Sequence, residues 1–159
     1  MDDTRWLDDQ EQQTWRSFLA AHRLFFERIE RQLQQDSGLP HAYFEILVRL
    51  SEAPDRRLRM SELGQRTVLS RTRVSRVVDE LVTAGLAERQ PDQADGRSSF
   101  AALTLAGREA LRRAWPVYRQ AIHRQLTARL TPRQCRELAA LLGLVIATDD
   151  LDPPVTISG

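Results

Sequence analysis

The side chains of this chain best suited to contact a charged partner lie in one short stretch of arginines and small polar residues. The group is Ser70, Arg71, Thr72, Arg73, Ser75 and Arg76, with no acidic residue among them. Arginine is always charged, and its planar fork of N–H donors suits phosphate oxygens and the O6/N7 edge of guanine. This pattern favours a surface that contacts nucleic acid. The alternative is the solvated basic face of an ordinary amphipathic helix.

One helix over residues 70–85 is predicted to carry this group. Ser70 is a suitable N-cap, and Gly85 suits the left-handed position that follows a helix. The apolar residues at helical spacing, which predict the buried face, are Val74, Val77, Val78 and Leu81. The basic group then lies on the opposite face, at the helix N-terminus, where the dipole and free N–H groups also favour anions.

The flanking segments predict a winged helix-turn-helix. Before the basic helix, a very short strand over 58–60 leads to a short helix that Ser61 caps, with a break at Val68 and Leu69. After Gly85, two strand-length pieces over 86–90 and 99–103 enclose a polar, glycine-containing loop. A hairpin placed directly after a recognition helix is a wing.

Two helices are predicted before this unit. The first begins at Asp8 or Asp9 and runs to about Gln35, before a break at Ser37-Gly38-Leu39-Pro40. Its apolar stripe is wider than one partner helix requires; it consists of Trp15, Phe18, Leu19, His22, Phe25, Phe26, Ile29 and Leu33. The second helix runs over 40–53, with Pro40 at its first position.

Two more helices are predicted after the hairpin. Thr104 caps a helix that reaches about Leu130, and Pro116 is expected to kink it. A capping box over 131–134 opens the last helix, which ends near Asp150. The apolar residues of this last helix are Leu138, Leu141, Leu142 and Val145. Residues 151–159 are expected to be disordered.

Composition is that of a soluble globular protein. The 159 residues allow one domain, or one domain with extensions, and 42% are hydrophobic and 28% charged. The net charge is only +1, but the acids gather towards the two ends, so the basic field is local. Neither an export signal nor a membrane-length apolar run is visible, which predicts a cytoplasmic protein without a membrane partner.

Over almost its whole length the sequence resembles the MarR family of bacterial transcriptional regulators, and the residues that carry the resemblance are 60–111. The family pattern is a helix-turn-helix, a wing with Asp-x-Arg near its tip, and a strand that ends in Leu-Thr before a long helix. Here those residues are Asp95, Gly96 and Arg97 at the wing, then Leu103 and Thr104. Arg73 departs from the small polar residues frequent at its position, so base preference cannot be carried over.

The resemblance implies a mainly α-helical protein with a small β-hairpin wing and long dimerisation helices. It divides the chain into an N-terminal dimerisation arm (1–39), a winged helix-turn-helix domain (40–104), C-terminal dimerisation helices (105–150) and the tail. The implied partners are a second copy and double-stranded DNA with a pseudo-palindromic operator, and the implied role is repression. The wing arginine, Arg97, suits the minor groove, with Asp95 holding its guanidinium.

The resemblance also implies a regulatory site for a small phenolic or aromatic-acid molecule, between the dimerisation helices and the winged domain. The candidate residues are Trp15, His22, Phe26, His41 and Tyr43. The alternative is that these are ordinary core aromatics with a satisfied histidine. Apart from such an effector, we expect no cofactor and no bound metal.

The sequence also bears on three other functions. The sequence carries no HExxH, GxGxxG or P-loop motif, which argues against an enzyme. The histidines His22, His41 and His123 lie far apart, which disfavours a metal-responsive regulator. An architectural DNA-binding protein would share the helix-turn-helix but bind with little sequence preference. The single cysteine, Cys135, is predicted to be a small core or interface residue. The family's hydroperoxide sensors carry a reactive cysteine in the first helix, where this chain has none, which argues against peroxide sensing by that route.

Overall fold

The computed structural model describes residues 6–67, 69–92 and 98–145. Within these ranges the chain forms six α-helices and one three-stranded antiparallel sheet. The helices are α1 (Asp9–Ser37), α2 (His41–Glu52), α3 (Met60–Gln65), α4 (Arg71–Thr83), α5 (Leu105–Gln125) and α6 (Pro132–Val145). The strands are β1 (Arg57–Arg59), β2 (Ala87–Pro91) and β3 (Ser99–Leu103), in the order β1–β3–β2. The predicted fold class is confirmed.

The signals that begin and end α1 act as the sequence predicted. The Asp8 carboxylate accepts from the backbone N–H of Glu11 at 2.9 Å, and the Glu11 carboxylate accepts from the backbone N–H of Asp8 at 2.7 Å. This reciprocal pair is a capping box. At the other end Gly38 has a φ of +69°, a left-handed conformation that glycine adopts without strain.

The core lies where α2 packs between α4 and α5, and the C-terminal half of α1 contributes to it. The fully buried large side chains are Ile29, Leu33, Ile46, Leu47, Leu50, Leu63, Val74, Val78 and Leu81. The predicted buried face of α4 is confirmed, because all four of its apolar residues at helical spacing are buried. Of α1, Ile29 and Leu33 are buried in this core and Phe25 packs against it, and the helix also packs along α5.

The start of α5 is docked against the loop that follows α4. The Thr104 hydroxyl donates to the Gly85 carbonyl at 2.8 Å and accepts from the backbone N–H of Gly107 at 3.0 Å. A Cβ atom at Gly107 would overlap the carbonyl oxygen of Leu86, so only glycine permits this approach. These contacts fix the start of α5 to the loop between α4 and β2, and so hold the two ends of the hairpin together.

Several predicted boundaries were wrong. Ser61 lies inside α3, which begins at Met60 with no side-chain cap at Arg59, because the chain enters the helix directly from β1. Pro40 is the N-cap of α2 and not its first helical residue. The helix capped by Thr104 ends at Gln125, and a 3-10 turn over Thr127–Arg129 follows it. The helix continues through Pro116, so the predicted kink stays a prediction.

The last helix, α6, begins with the predicted capping box but stands apart from the core. The Thr131 N–H donates to Gln134 Oε1 at 2.9 Å, and the Thr131 hydroxyl accepts from the Gln134 N–H at 3.3 Å. No residue of α6 is buried within the described part of the chain, and Leu141 is 62% exposed. The predicted end near Asp150 and the tail over 151–159 lie outside the described residues.

Candidate nucleic-acid interface

The polar face of α4 is exposed on the side opposite its buried valines. Ser70 caps the helix, and its hydroxyl accepts a long hydrogen bond, 3.4 Å, from the backbone N–H of Arg73. The exposed side chains of the first two turns are Arg71, Thr72, Arg73 and Arg76. This arrangement aims free N–H groups and guanidinium donors outward from one helix end, which suits phosphate oxygens and base edges.

The arginine nearest the helix centre, Arg76, has an acidic neighbour one turn later. Its Nε atom lies 3.3 Å from Glu80 Oε1, and its side chain is 75% exposed. An exposed pair of this kind contributes little free energy, about 0–1 kcal/mol. Arg76 can therefore exchange Glu80 for a stronger anionic partner at low cost.

Ser75 differs from the other members of the predicted group because it is half-buried. Its hydroxyl lies 3.2 Å from an N–H nitrogen of Arg89, a residue of β2 that sequence reasoning did not single out. The same guanidinium also contacts Asp79 on α4 and Ser99 on β3. No motif at Arg89 signalled this role, since its position beside α4 depends on the folding of the hairpin.

The stem of the hairpin is anchored to β1 by a buried carboxylate. Asp92 is 6% exposed, accepts from the Ser98 hydroxyl at 2.9 Å and lies 2.9 Å from an Arg59 nitrogen. Arg57 and Arg59 both lie over the Phe100 ring, at 4.9 and 5.5 Å from its centroid. The predicted wing residues Asp95, Gly96 and Arg97 lie outside the described residues.

A cavity of about 410 Å³ lies where α1, α2 and α5 meet. Its lining residues are Phe26, His41, Phe44, Glu45, Val48, Arg49, Trp115, Tyr118, Arg119 and Ile122. The aromatic rings form a continuous wall: Phe44 and Tyr118 have centroids 4.5 Å apart, and His41 lies 5.9 Å from Tyr118. The combination of apolar walls and a few charged groups is typical of a small-molecule site.

The structure brings only two of the five predicted pocket residues, Phe26 and His41, to this cavity. Trp15 lies about three helical turns before Phe26, towards the N-terminus of α1, and is 52% exposed. His22 lines a separate groove between α1 and α6, which has a volume of about 590 Å³. Tyr43 lies beside Glu80 of α4; burial raises the pKa of its hydroxyl, and the Glu80 carboxylate adds to that shift. These three lie away from this cavity because sequence proximity to the junction does not fix which helix face a side chain occupies. Their part in a regulatory site stays a prediction.

The cavity residues that the prediction missed had a partial signal. Trp115, Tyr118 and Ile122 recur at helical spacing in α5, a pattern that indicates one apolar side of the helix. Nothing in the sequence indicated that it faces Phe44 and His41. That pairing is a long-range contact between α2 and α5.

Two titratable groups of the cavity have shifted pKa values. Burial lowers the pKa of His41, although the nearby Glu45 and Glu30 carboxylates act in the opposite direction. Burial also raises the pKa of Tyr118, and Glu45 adds to that shift. Burial therefore favours the neutral form of the His41 imidazole, which can accept or donate a hydrogen bond without carrying charge.

Other kinds of site find little support within the described ranges. No group of three or more His, Cys, Asp or Glu side chains there is arranged to hold a metal ion. None of the helices described is sufficiently long and apolar to cross a membrane. Cys135 is half-buried on α6.

Together, the helix-turn-helix formed by α3 and α4 and the β2–β3 hairpin beside it define a winged helix-turn-helix protein. The MarR family model matches residues 37–98, which span α2 to the hairpin. The structure is similar to that of Sco3205, a MarR family transcriptional regulator from Streptomyces coelicolor solved in complex with DNA. Their sequences are 39% identical, the match covers 97% of this chain and 98% of that one, and the TM-score is 0.85. The chain belongs to the MarR family of transcriptional regulators.

Two further structures are similar to that of this chain. AbsC, a MarR family transcriptional regulator from Streptomyces coelicolor, is 36% identical, with coverage of 89% of this chain and 95% of that one and a TM-score of 0.81. A variant of MarR from E. coli, complexed with operator DNA, is 22% identical and shares the fold. That match covers 90% of this chain and 100% of the other, at a TM-score of 0.77. A comparison with curated proteins found no match. As a member of this family, the chain is a transcriptional regulator and not an enzyme.

Proposed function

We propose that this chain is a cytoplasmic, homodimeric, sequence-specific DNA-binding regulator that represses transcription from a pseudo-palindromic operator. The observation that carries the proposal is the exposed N-terminal face of α4, where three arginines surround a capped helix end. Within this face, Arg71, Arg73 and Arg76 contact bases and phosphates, and Ser70 and Thr72 contact the backbone. The relative solved with DNA, Sco3205, supports this use of the fold.

The wing is proposed to extend the contact into the neighbouring minor groove. Arg97 enters the groove, where narrow width concentrates negative potential, and Asp95 orients its guanidinium. Support comes from the stem of the hairpin, which Asp92 and Ser98 close and Arg59 joins to β1. A rigid stem lets a short loop reach a fixed point on the duplex.

The outer helices are proposed to form the dimer. Large apolar side chains of α1 and α6 are exposed in the single chain; they are Trp15, Phe18, Leu19, Leu141, Leu142, Leu144 and Val145. A contiguous apolar surface of this kind marks an interface, and a two-fold dimer of the α1–α6 face would cover it. These residues lie in the two segments predicted for dimerisation, 1–39 and 105–150. The predicted winged helix-turn-helix domain, 40–104, lies between those segments.

The test is a titration of the chain with the DNA upstream of its own gene, followed by gel mobility shift. Matched DNA with the inverted repeat scrambled gives the non-specific affinity. We expect the ratio of specific to non-specific affinity to be at least about 10³ at physiological salt. A ratio near unity would instead indicate an architectural DNA-binding protein.

We further propose that the cavity between α1, α2 and α5 binds a small aromatic acid or phenol that releases the operator. The aromatic wall supplies stacking, and the guanidinium groups of Arg49 and Arg119 can pair with a carboxylate. The ligand must favour a spacing of the two recognition helices that DNA does not accept. Its effect on operator affinity cannot exceed its differential affinity for the two states.

A further inference from the structure

Arg89 occupies a central position between the recognition helix and the hairpin. Its Nε atom lies 2.9 Å from Asp79 Oδ1, and one terminal nitrogen lies 3.2 Å from Ser75 Oγ. The other terminal nitrogen lies 3.3 Å from Ser99 Oγ on β3. A single side chain on β2 thus contacts both α4 and the neighbouring strand.

The two partners on α4 lie one helical turn apart. Ser75 and Asp79 are at positions i and i+4, so they share the face of α4 turned towards the sheet. The planar guanidinium presents its donors in a fixed fork, so these contacts define both a distance and an orientation. The side chain is 32% exposed, which leaves its contacts only partly screened by water.

We infer that Arg89 is a positioning residue that fixes the hairpin against α4, so that wing and recognition helix meet DNA as one rigid unit. The inference rests on the proposed DNA-binding function. It gives Ser75 a structural role in place of the predicted DNA contact, because its hydroxyl accepts from Arg89. It also explains an acid, Asp79, beside a surface that contacts polyanionic DNA.

The alternative is that Arg89 contacts phosphate directly and that Asp79 merely restrains it. The two roles differ in the sign of one experiment, the affinity of Asp79→Asn for the operator. Removing an acid beside DNA strengthens binding if charge alone matters, and strengthens it further if Arg89 is released to phosphate. If Arg89 acts as a brace, the same change weakens binding, by about tenfold for each 1.4 kcal/mol lost.

The experiment compares Asp79→Asn, Arg89→Ala, Arg89→Lys and the double variant in operator titrations over a range of salt. We expect Asp79→Asn and Arg89→Ala each to weaken binding about tenfold, and the double variant to be no weaker than Arg89→Ala alone. Arg89→Lys keeps the charge but not the fork, so it should restore only part of the affinity. Unchanged or tighter binding by Asp79→Asn, or full rescue by lysine, would overturn the inference.

The matched control is Arg112→Ala. Arg112 also forms an ion pair, with Glu109 on α5 at 2.8 Å, and its loss changes the net charge equally. This variant should bind the operator as wild type does. A loss equal to that of Arg89→Ala would assign the effect to net charge and overturn the inference.

A second readout needs no DNA and separates this inference from the proposed function. Amide hydrogen exchange across β2 should be faster in Arg89→Ala than in wild type and unchanged in Arg112→Ala. Exchange that stays at the wild-type rate in Arg89→Ala would show that no brace exists. If wild type binds no operator, the proposed function is wrong, and hydrogen exchange still decides whether Arg89 holds the hairpin.

Discussion

The winged unit and the outer helices of this chain satisfy their apolar residues in different ways. From α2 to β3 the apolar side chains bury one another, and residues such as Leu47 and Leu81 are fully enclosed. Along α1 only Ile29 and Leu33 are buried, and along the described part of α6 none is. Two kinds of hydrophobic stripe are therefore present, one buried within the chain and one left exposed, which the proposed dimer would cover.

The largest expected effect is on the proposed dimer, through the exposed apolar residues of α6. Leu141→Glu places a charge on the exposed apolar face of α6, and we expect the dimer to dissociate and operator affinity to fall by several kcal/mol. Burying one leucine contributes about 1.5–3 kcal/mol, and a buried unpaired carboxylate costs more. Sedimentation equilibrium measures the change in oligomeric state.

The winged unit supplies the matched control for this prediction. Val82 lies on α4 and is 36% exposed in the single chain. Val82→Glu should leave the sedimentation behaviour unchanged. If both variants remain dimeric, the apolar face of α6 is not the interface.

The next largest effect is on operator binding by the basic face of α4. Arg73→Ala and Arg76→Ala should each weaken operator binding by about 1–3 kcal/mol if the arginine reads a base. A phosphate contact would instead lower the affinity for all sequences and reduce the salt slope by about one. Wild-type binding by both variants would show that this face does not meet DNA.

A smaller effect probes the cavity between the two regions. Calorimetric titration with an aromatic acid, chosen from a thermal-shift screen, should show that Arg119→Ala loses about 1 kcal/mol of affinity, because one charge-assisted hydrogen bond disappears. The affinity for a phenol without a carboxylate should change less. Arg113→Ala, on the same helix but outside the lining residues, is the control. Equal losses in both variants would move the carboxylate site elsewhere.

The smallest effect is a pH dependence of stability that His41 confers. Burial holds the folded-state pKa of His41 below its ordinary value of about 6.5, so the unfolded chain binds the proton first as pH falls. The free energy of unfolding should therefore decrease below about pH 6.5, by at most about 1.4 kcal/mol per pH unit, until the folded-state pKa is reached. Urea unfolding of wild type and His41→Gln at pH 7.5 and 5.5 measures it. An equal pH dependence in both proteins would contradict the assignment.

The same contrast explains which features were predictable from the sequence. The caps at Asp8, Ser70 and Thr131 and the buried face of α4 depend on residues within one or two turns, so local pattern was sufficient. The cavity was not predictable in this way. His41 of α2 lies beside Tyr118 of α5, and Tyr43 lies beside Glu80 of α4. Both pairs join residues that are distant in sequence. The contacts of Arg89 with α4 and β3 were not predictable for the same reason.

The most direct test of the account is a hydroxyl-radical footprint of the wild-type chain on its operator. A two-fold dimer that places α4 in successive major grooves predicts two protected half-sites related by symmetry, with centres about 10–10.5 base pairs apart or a multiple of that spacing. Protection by the wings should appear in the minor groove flanking each half-site. A single protected half-site, or protection spread evenly without regard to sequence, would contradict the account.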